Sequence, residues 1–271
     1  MTDRLLARLA AERPVVVMGR GHSGTRVLAW ALEALGVRMG TLPDKQTGDA
    51  QDRRFTGVIK RLAGHAIDRP ALAVPPPQSI QRFARAATGY LVWLRQHVPD
   101  WDSRCGWGFK FPEAYLIGPM VDAVFPRARH IHMVRDGRDL AFKEHLTDDA
   151  SRWLGRRILT RLRALREPHH IQAARSWDFQ VRRFSEFEKT LGPRVLRLTF
   201  ERLIASPEES MRDVCAFLGL PMTGACRAFL ARDLEPGKVR QHRTEDPEKV
   251  RAVEAIIGDT LEAWGYRREQ A

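Results

Sequence analysis

The first chemical signal is Gly19-Arg20-Gly21-His22-Ser23-Gly24-Thr25-Arg26, which follows the apolar run Pro14-Val-Val-Val-Met and opens an amphipathic segment. A glycine turn between a strand and a helix aims successive backbone N–H groups and a helix N-terminus at one point, which suits a phosphate-like anion. Gly19 and Gly24 have the separation of the triphosphate loop G-x-x-x-x-G-K-[ST]. Thr25 stands where its lysine would be, and Arg26 where its magnesium-binding hydroxyl would be. The cradle is kept and the triphosphate and metal ligands are not, so the expectation is an anion handled without a metal ion. The plain alternative is a structural turn; the two arginines, histidine and serine within the loop weigh for function.

Three further constellations stand in order along the chain. Trp107-Gly108-Phe109-Lys110-Phe111-Pro112-Glu113 ends a strand-like run on a lysine and places a carboxylate just beyond it. His130-Ile131-His132-Met133-Val134 leads into Arg135-Asp136-Gly137-Arg138-Asp139-Leu140-Ala141-Phe142-Lys143, and Gly237-Lys238-Val239-Arg240 follows much later. Alone, the second reads as a charged helix start after a strand. His130 and His132 share one face of their strand, but with no acidic or cysteine partner at ligand spacing they read as ordinary core or surface histidines.

Together these residues resemble the sulfotransferases that use 3′-phosphoadenosine 5′-phosphosulfate (PAPS). Gly21-His22-Ser23-Gly24-Thr25-Arg26-Val27-Leu28 lies over that family's 5′-phosphosulfate loop P-[KR]-S-G-T-T-x-L, with His22 in place of its cation and Arg26 in place of its second threonine. The run from His130 to Lys143 is similar to the 3′-phosphate element h-h-x-h-R-D-P-R-D-x-x-x-S, with Arg135 on the phosphate-binding arginine and Lys143 in the serine position. Trp107 to Glu113 resembles W-G-x-K-x-P-x, and Gly237 to Arg240 resembles the late G-[KR]-W-R segment that closes over the cofactor. Leu198 to Pro221 is similar to the Y-E-D-L to F-L-G-L-P stretch, whose expected role is packing. The resemblance spans about 14–266 and is thinnest at 40–100 and 145–190.

It implies an α/β, P-loop-like three-layer fold with a central, mostly parallel sheet flanked by helices, in a single domain. It also implies that Arg20, Gly21, His22, Ser23, Gly24, Thr25, Arg26, Arg135, Lys143, Lys238 and Arg240 bind PAPS, with no metal required. Arg20, Arg26 or a protonated His22 would replace the missing loop cation. Lys110 would contact the sulfuryl or bridging oxygen. Moving a sulfuryl group resembles phosphoryl transfer with less charge on the migrating group, so positioning, cations and a base for the acceptor proton carry the expected catalysis. Glu113, just past a strand end where ligand sites of parallel sheets lie, is the first choice of base and His22 the second. The competing reading is that Glu113 only caps a helix beginning near Tyr115.

The elements that must position these groups are legible from periodicity. Pro14 to Gly19 reads as a strand buried on both faces and ending in glycine, followed by a helix over Thr25–Leu35 that Gly36 stops. Residues 43–77 read as a variable excursion with one helix, and Gln78–His97 as an amphipathic helix. Strands are expected over Cys105–Phe111, Ala128–Val134 and Val195–Phe200, with a crossover helix over Tyr115–Phe125. Arg-rich helices are expected at 151–167 and 170–191, with His169-His170 as a loop between them. Ser206-Pro207-Glu208-Glu209 reads as a capping box, and Asp246-Pro247 as the start of a last helix.

Composition sets the bounds. The 271 residues are 44% hydrophobic and 29% charged, ample for a core that needs no staples. A charge of +12 points to an anionic partner: nucleic acid, anionic lipid or a multiply phosphorylated small molecule. The nucleic-acid reading rests on the arginines of 152–166, but no aromatic-interleaved basic stripe accompanies them and it has no use for the three motifs together. A small-molecule kinase is the rival enzyme and would need Lys at 25. Three cysteines without a CxxC argue against a zinc site or a disulfide framework, and a reducing, cytoplasmic setting is the expectation, with no signal peptide or transmembrane segment visible. A glycan, a lipid, a peptide tyrosine or a small metabolite would all suit as acceptor, and oligomeric state is open.

Overall fold

The structure, a computed structural model, describes residues 2–41, 48–98, 101 and 106–267. In chain order its elements are α1 (Thr2–Ala11), β1 (Val15–Met18), α2 (Thr25–Ala34), α3 (Arg53–Ala66), α4 (Pro77–His97), β2 (Gly108–Lys110), α5 (Gly118–Val124), β3 (Arg129–Val134), α6 (Gly137–Ala141), α7 (Trp153–Arg161), α8 (His169–Glu188), β4 (Val195–Thr199), α9 (Phe200–Ala205), α10 (Pro207–Leu218), α11 (Gly224–Asp233) and α12 (Pro247–Ala263). Short 3₁₀ turns cover Pro112–Ile117, Gly192–Arg194, Pro236–Lys238 and Gln241–Thr244.

The strands form one sheet in the order β2-β1-β3-β4, every pair parallel. Side chains of β1 alternate between two separate cores. Val16 and Met18 join the larger one with Phe55, Phe83, Phe109 and Trp177, while Val15 and Val17 pack with Leu28, Leu32, Ile131 and Leu198. A strand that feeds two cores must be apolar at every position, which is why this one reads as an unbroken β-branched run rather than an alternating one. Helices α2, α9, α10 and α11 cover one face and the remaining packed helices the other, so the molecule is a three-layer α/β sandwich around a parallel sheet.

Gly36 does stop α2: it has φ +88° and donates to the Glu33 carbonyl at 2.9 Å. Other expectations are corrected. The strand read over Cys105–Phe111 is only Gly108–Lys110, and Cys105 lies outside the described residues, as do residues 43–47 of the excursion. The helix read over Tyr115–Phe125 is split into the 3₁₀ turn Pro112–Ile117 and α5. Pro119 is the cause, since it has no N–H for a bond back to residue 115 and its ring would clash there. His169-His170 opens α8 instead of forming a loop, with Pro168 as the flanking residue. Ser206 makes no side-chain cap, because the same residue also ends α9, its N–H bonding the Arg202 carbonyl at 2.9 Å. Glu209 turns to Arg202 at 3.7 Å.

Both strand histidines are core residues. His132 bridges Tyr115 Oη at 2.5 Å and Glu188 Oε2 at 2.6 Å, and His130 is wholly buried, burial pushing its pKa down to about 3 and keeping it neutral. Among the described residues no helix is long and apolar enough to cross a membrane.

Candidate active site

The register Val17↔Lys110 and Met18↔His132 brings three chain segments together at one edge of the sheet. The loop after β1, the last residue of β2 and the segment after β3 all leave the carboxyl ends of neighbouring strands. β1 has β2 on one side and β3 on the other, so its end is a switch point of the sheet, where ligands of open α/β folds bind.

The loop itself is shaped by its glycines. A Cβ on Gly19 would meet the Met133 carbonyl at 2.4 Å, and one on Gly21 would meet the His145 ring at 2.1 Å. Gly24 has φ +82° and its Cβ would strike Phe200 at 2.3 Å, so neither the conformation nor the space admits a side chain. No side chain caps α2, and the N–H groups of Thr25, Arg26 and Val27 meet no acceptor among the described residues. Ser23 and Thr25 are buried beneath the turn, and His22 holds a left-handed φ of 67°. Donors left free at the start of a helix, on a backbone pinned from below, are what an anion cradle requires.

Arg135 ties this cradle to the late segment. It donates to the His22 carbonyl at 3.3 Å, Asp139 at 2.9 Å, Gln241 at 3.2 Å and the Lys238 carbonyl, with its guanidinium over the Phe200 ring at 4.8 Å. Asp139 is gripped from the other side by His242, Nδ1 at 2.6 Å and N–H at 3.0 Å. Burial alone would raise the Asp139 carboxyl, but the bonds from His242 and Arg135 hold it down to about 2. Lys143 is half-buried, and its pKa is lowered by desolvation and by the charges of Arg135 and Lys238. Three cations are therefore held close enough to repel one another. Lys238 also pairs with Glu235 at 2.7 Å, and Arg240 stands exposed in a left-handed turn of φ 60°.

The loop arginines differ. Arg26 is exposed and packs against Gly48, whose Cβ would lie 2.9 Å from Arg26 Cα. Arg20 is buried, its Nη2 2.6 Å from Asp148, with neither side chain exposed. His22 points its Nε2 at the Glu144 carbonyl at 3.1 Å, and desolvation together with Arg20 lowers its pKa, which disfavours the protonated form.

On the other side of the loop lies a cavity of about 790 Å³ lined in part by Lys60, Glu113, His145, Asp149 and Trp153. His145 forms both its wall and the lid over Gly21, so cavity and cradle share a partition one ring thick. Glu113 is 1% exposed, and neither carboxylate oxygen makes a hydrogen bond with another residue. It caps nothing. Burial, aided by Asp49, pushes its pKa up to about 7, while Lys60, its Nζ at 3.9 Å, and Lys110 oppose the rise. Lys110 is buried, with its ammonium 2.5 Å from Asp49. A carboxyl poised near neutrality beside a cavity suits proton transfer.

The structure thus gathers the loop, Arg135, Lys143 and Lys238 on one side and Lys110 and Glu113 on the other. Sequence reading missed Asp148, Asp49, Lys60 and His145, each far in sequence from its partner and in no motif. A buried arginine does demand an acid somewhere, but the sequence does not say which one.

A parallel sheet between two helical layers, with an uncapped glycine turn at its switch point, defines an α/β protein of the three-layer class. The sulfotransferase family profile matches residues 14–224, and the chain belongs to that family. Sulfotransferase STF9 from Mycobacterium avium is similar in fold, with a TM-score of 0.57 and 16% identity over 99% of this chain and 81% of that one. A sulfotransferase domain from the curacin biosynthetic pathway gives 0.57 and 11% over 95% and 99%. The sulfotransferase domain of the Synechococcus PCC 7002 olefin synthase gives 0.55 and 16% over 95% and 97%. Among curated proteins there is no match.

Proposed function

We propose that the protein moves the sulfuryl group of PAPS to an acceptor hydroxyl or amine by in-line displacement. The observation that carries this reading is the buried Glu113 carboxyl, without a hydrogen bond to another residue and with Lys60 at 3.9 Å, beside a cavity separated from the glycine cradle by His145. The cradle fits a 5′-phosphosulfate: free N–H groups at Thr25 to Val27, with the Ser23 and Thr25 hydroxyls beneath them. The cations Arg135, Lys143 and Lys238 fit a 3′-phosphate, whose charge would offset the desolvation and the neighbouring cations that lower the Lys143 pKa. Arg240 and Lys238 belong to the segment that would close over the nucleotide.

As the acceptor O–H or N–H attacks sulfur, Glu113 takes its proton. The new bond to sulfur forms while the sulfur–oxygen bond to the phosphate breaks, and 3′-phosphoadenosine 5′-phosphate (PAP) leaves with the electron pair. Lys110, released from Asp49, stabilises the bridging oxygen or the sulfuryl oxygens, with Arg26 as the second loop cation. Arg20, given over to Asp148, holds the floor of the loop, and its contribution to the nucleotide passes through that position. His22, its protonation disfavoured, offers a backbone donor more readily than a charge.

Calorimetry with PAP, 5′-AMP and magnesium ATP tests the donor. Each charge-assisted phosphate contact is worth about 1.5–3 kcal/mol, so PAP should bind at least tenfold to a hundredfold tighter than 5′-AMP, with or without EDTA. Lys143→Ala should narrow that gap. Equal affinity for PAP and 5′-AMP overturns the assignment, and binding that EDTA abolishes favours a kinase.

A further inference from the structure

A second cavity, of about 450 Å³, lies on the opposite side of α3 and shares no lining residue with the first. Its floor is apolar, formed by Leu62, Leu116, Ile117 and Met120. Its polar lining includes three arginines, Arg183, Arg82 and Arg69, together with His65, Gln78 and Ser79, and among the described residues no Asp or Glu lines it. The rim loop between α3 and α4 carries Leu72 and Val74, 49% and 81% exposed.

Arg183 is the anomaly. It is only 9% exposed, yet its guanidinium bonds carbonyls alone, Arg69 O at 2.6 Å and Pro70 O at 3.4 Å. Buried arginines ordinarily sit against a carboxylate, because taking a cation out of water is costly without an opposing charge. Here desolvation and the nearby Arg161 lower its pKa to about 10, with exposed Glu186 the acid that opposes them, so it stays charged at neutral pH. Arg69 is held to the Val74 carbonyl at 2.9 Å, and exposed Arg82 has no partner among the described residues. Two carbonyls explain why the rim loop is pinned. They do not balance the charge.

We infer that this cavity binds a drug-sized organic anion, a single sulfonate, sulfate or carboxylate head facing Arg183 and Arg82 and an apolar body lying on Leu62, Leu116, Ile117 and Met120. The volume is within the range of small-ligand pockets, and the division between an apolar floor and a few convergent polar groups is the pattern such pockets show. The bidentate geometry of guanidinium favours planar or tetrahedral oxyanions over a neutral head. The site stands apart from the proposed PAPS cradle, and the inference holds whatever the donor proves to be.

The probe is 8-anilinonaphthalene-1-sulfonate, compared with N-phenyl-1-naphthylamine, which has the same rings and no sulfonate. Fluorescence titration should give one saturable sulfonate site per chain, unchanged by saturating PAP. The amine should bind about tenfold weaker or worse, the loss expected from one charge-assisted contact. Arg183→Met should weaken the sulfonate similarly. Because that variant also frees the rim loop, exposed Arg82→Glu is the control that leaves the core intact, and it too should lose about tenfold. Equal binding of the two dyes, displacement of the sulfonate by PAP, or wild-type affinity in Arg82→Glu would each overturn the inference.

Discussion

The two halves of the site are built on opposite plans. On the nucleotide side nearly every charged group is fastened: Arg135 to two carbonyls, Asp139 and Gln241, Asp139 to His242, and Arg20 to Asp148. On the cavity side Glu113 makes no hydrogen bond to another residue, its ion-pair partner Lys60 stands off at 3.9 Å, and Trp153 is 52% exposed at the rim. Fastened groups are pre-organised for a fixed ligand and cost no reordering when it binds. An unfastened buried carboxyl costs stability and retains basicity. On the proposed function, the contrast would give recognition to the first region and chemistry to the second.

The largest effect should therefore come from the least connected residue. Glu113→Gln keeps the volume and removes the basicity, and kcat should fall about 10²–10⁴-fold while PAP affinity stays within about twofold. In the wild type kcat should rise with pH through an apparent pKa of about 7, because the base works only when ionised, and the variant should lack that limb. Near-normal turnover in Glu113→Gln, with turnover lost in His22→Gln, would move the base to His22 and break the contrast.

The next effect belongs to the fastened side and should appear as stability. Asp148→Ala leaves the Arg20 guanidinium buried without its carboxylate, which costs about 3–5 kcal/mol. Denaturant unfolding measures it. Replacing both members, Arg20→Met with Asp148→Leu, should recover most of the stability, since apolar residues of similar volume need no pairing. A loss in Asp148→Ala of less than about 1 kcal/mol would mean that the pair is not load-sharing and that Arg20 is free for the ligand.

This contrast also marks how far the sequence could be read. The cradle is legible because its chemistry lies in the backbone, and backbone demands leave glycines at fixed offsets: Gly19, Gly21 and Gly24 each answer to a separate contact. β1 is legible because both its faces are buried. Arg20 and Arg135 are legible because each follows a strand at short range. The cavity is not, since Lys60, Glu113, His145 and Trp153 come from four separate segments that only packing unites. The helix boundary at Pro112 and the failed cap at Ser206 were lost for a related reason: a proline two turns on, or a helix ending on the same residue, overrides a local signature.

The smallest effect tests whether Glu113 is truly unfastened, without any assay of turnover. An ordinary glutamate in the unfolded chain loses its proton near 4.5, whereas in the folded protein Glu113 holds it up to about 7. Between those values the folded state binds the extra proton, so raising the pH through this window favours unfolding and stability falls. At ~1.4 kcal/mol per pH unit the whole window, 4.5 to about 7, is worth at most about 3.5 kcal/mol, and it is fully present only below 4.5 and gone above 7. Glutamine cannot titrate, so Glu113→Gln should not share this decline. Its stability relative to the wild type should improve from pH 5 to pH 8, by up to that amount, in urea unfolding at each pH. The burial of an unpaired amide shifts both ends of that comparison equally and does not alter its slope. If the two proteins show the same pH dependence, Glu113 is ionised and held in the native state like any residue of the nucleotide side, and the division of labour between the two regions fails.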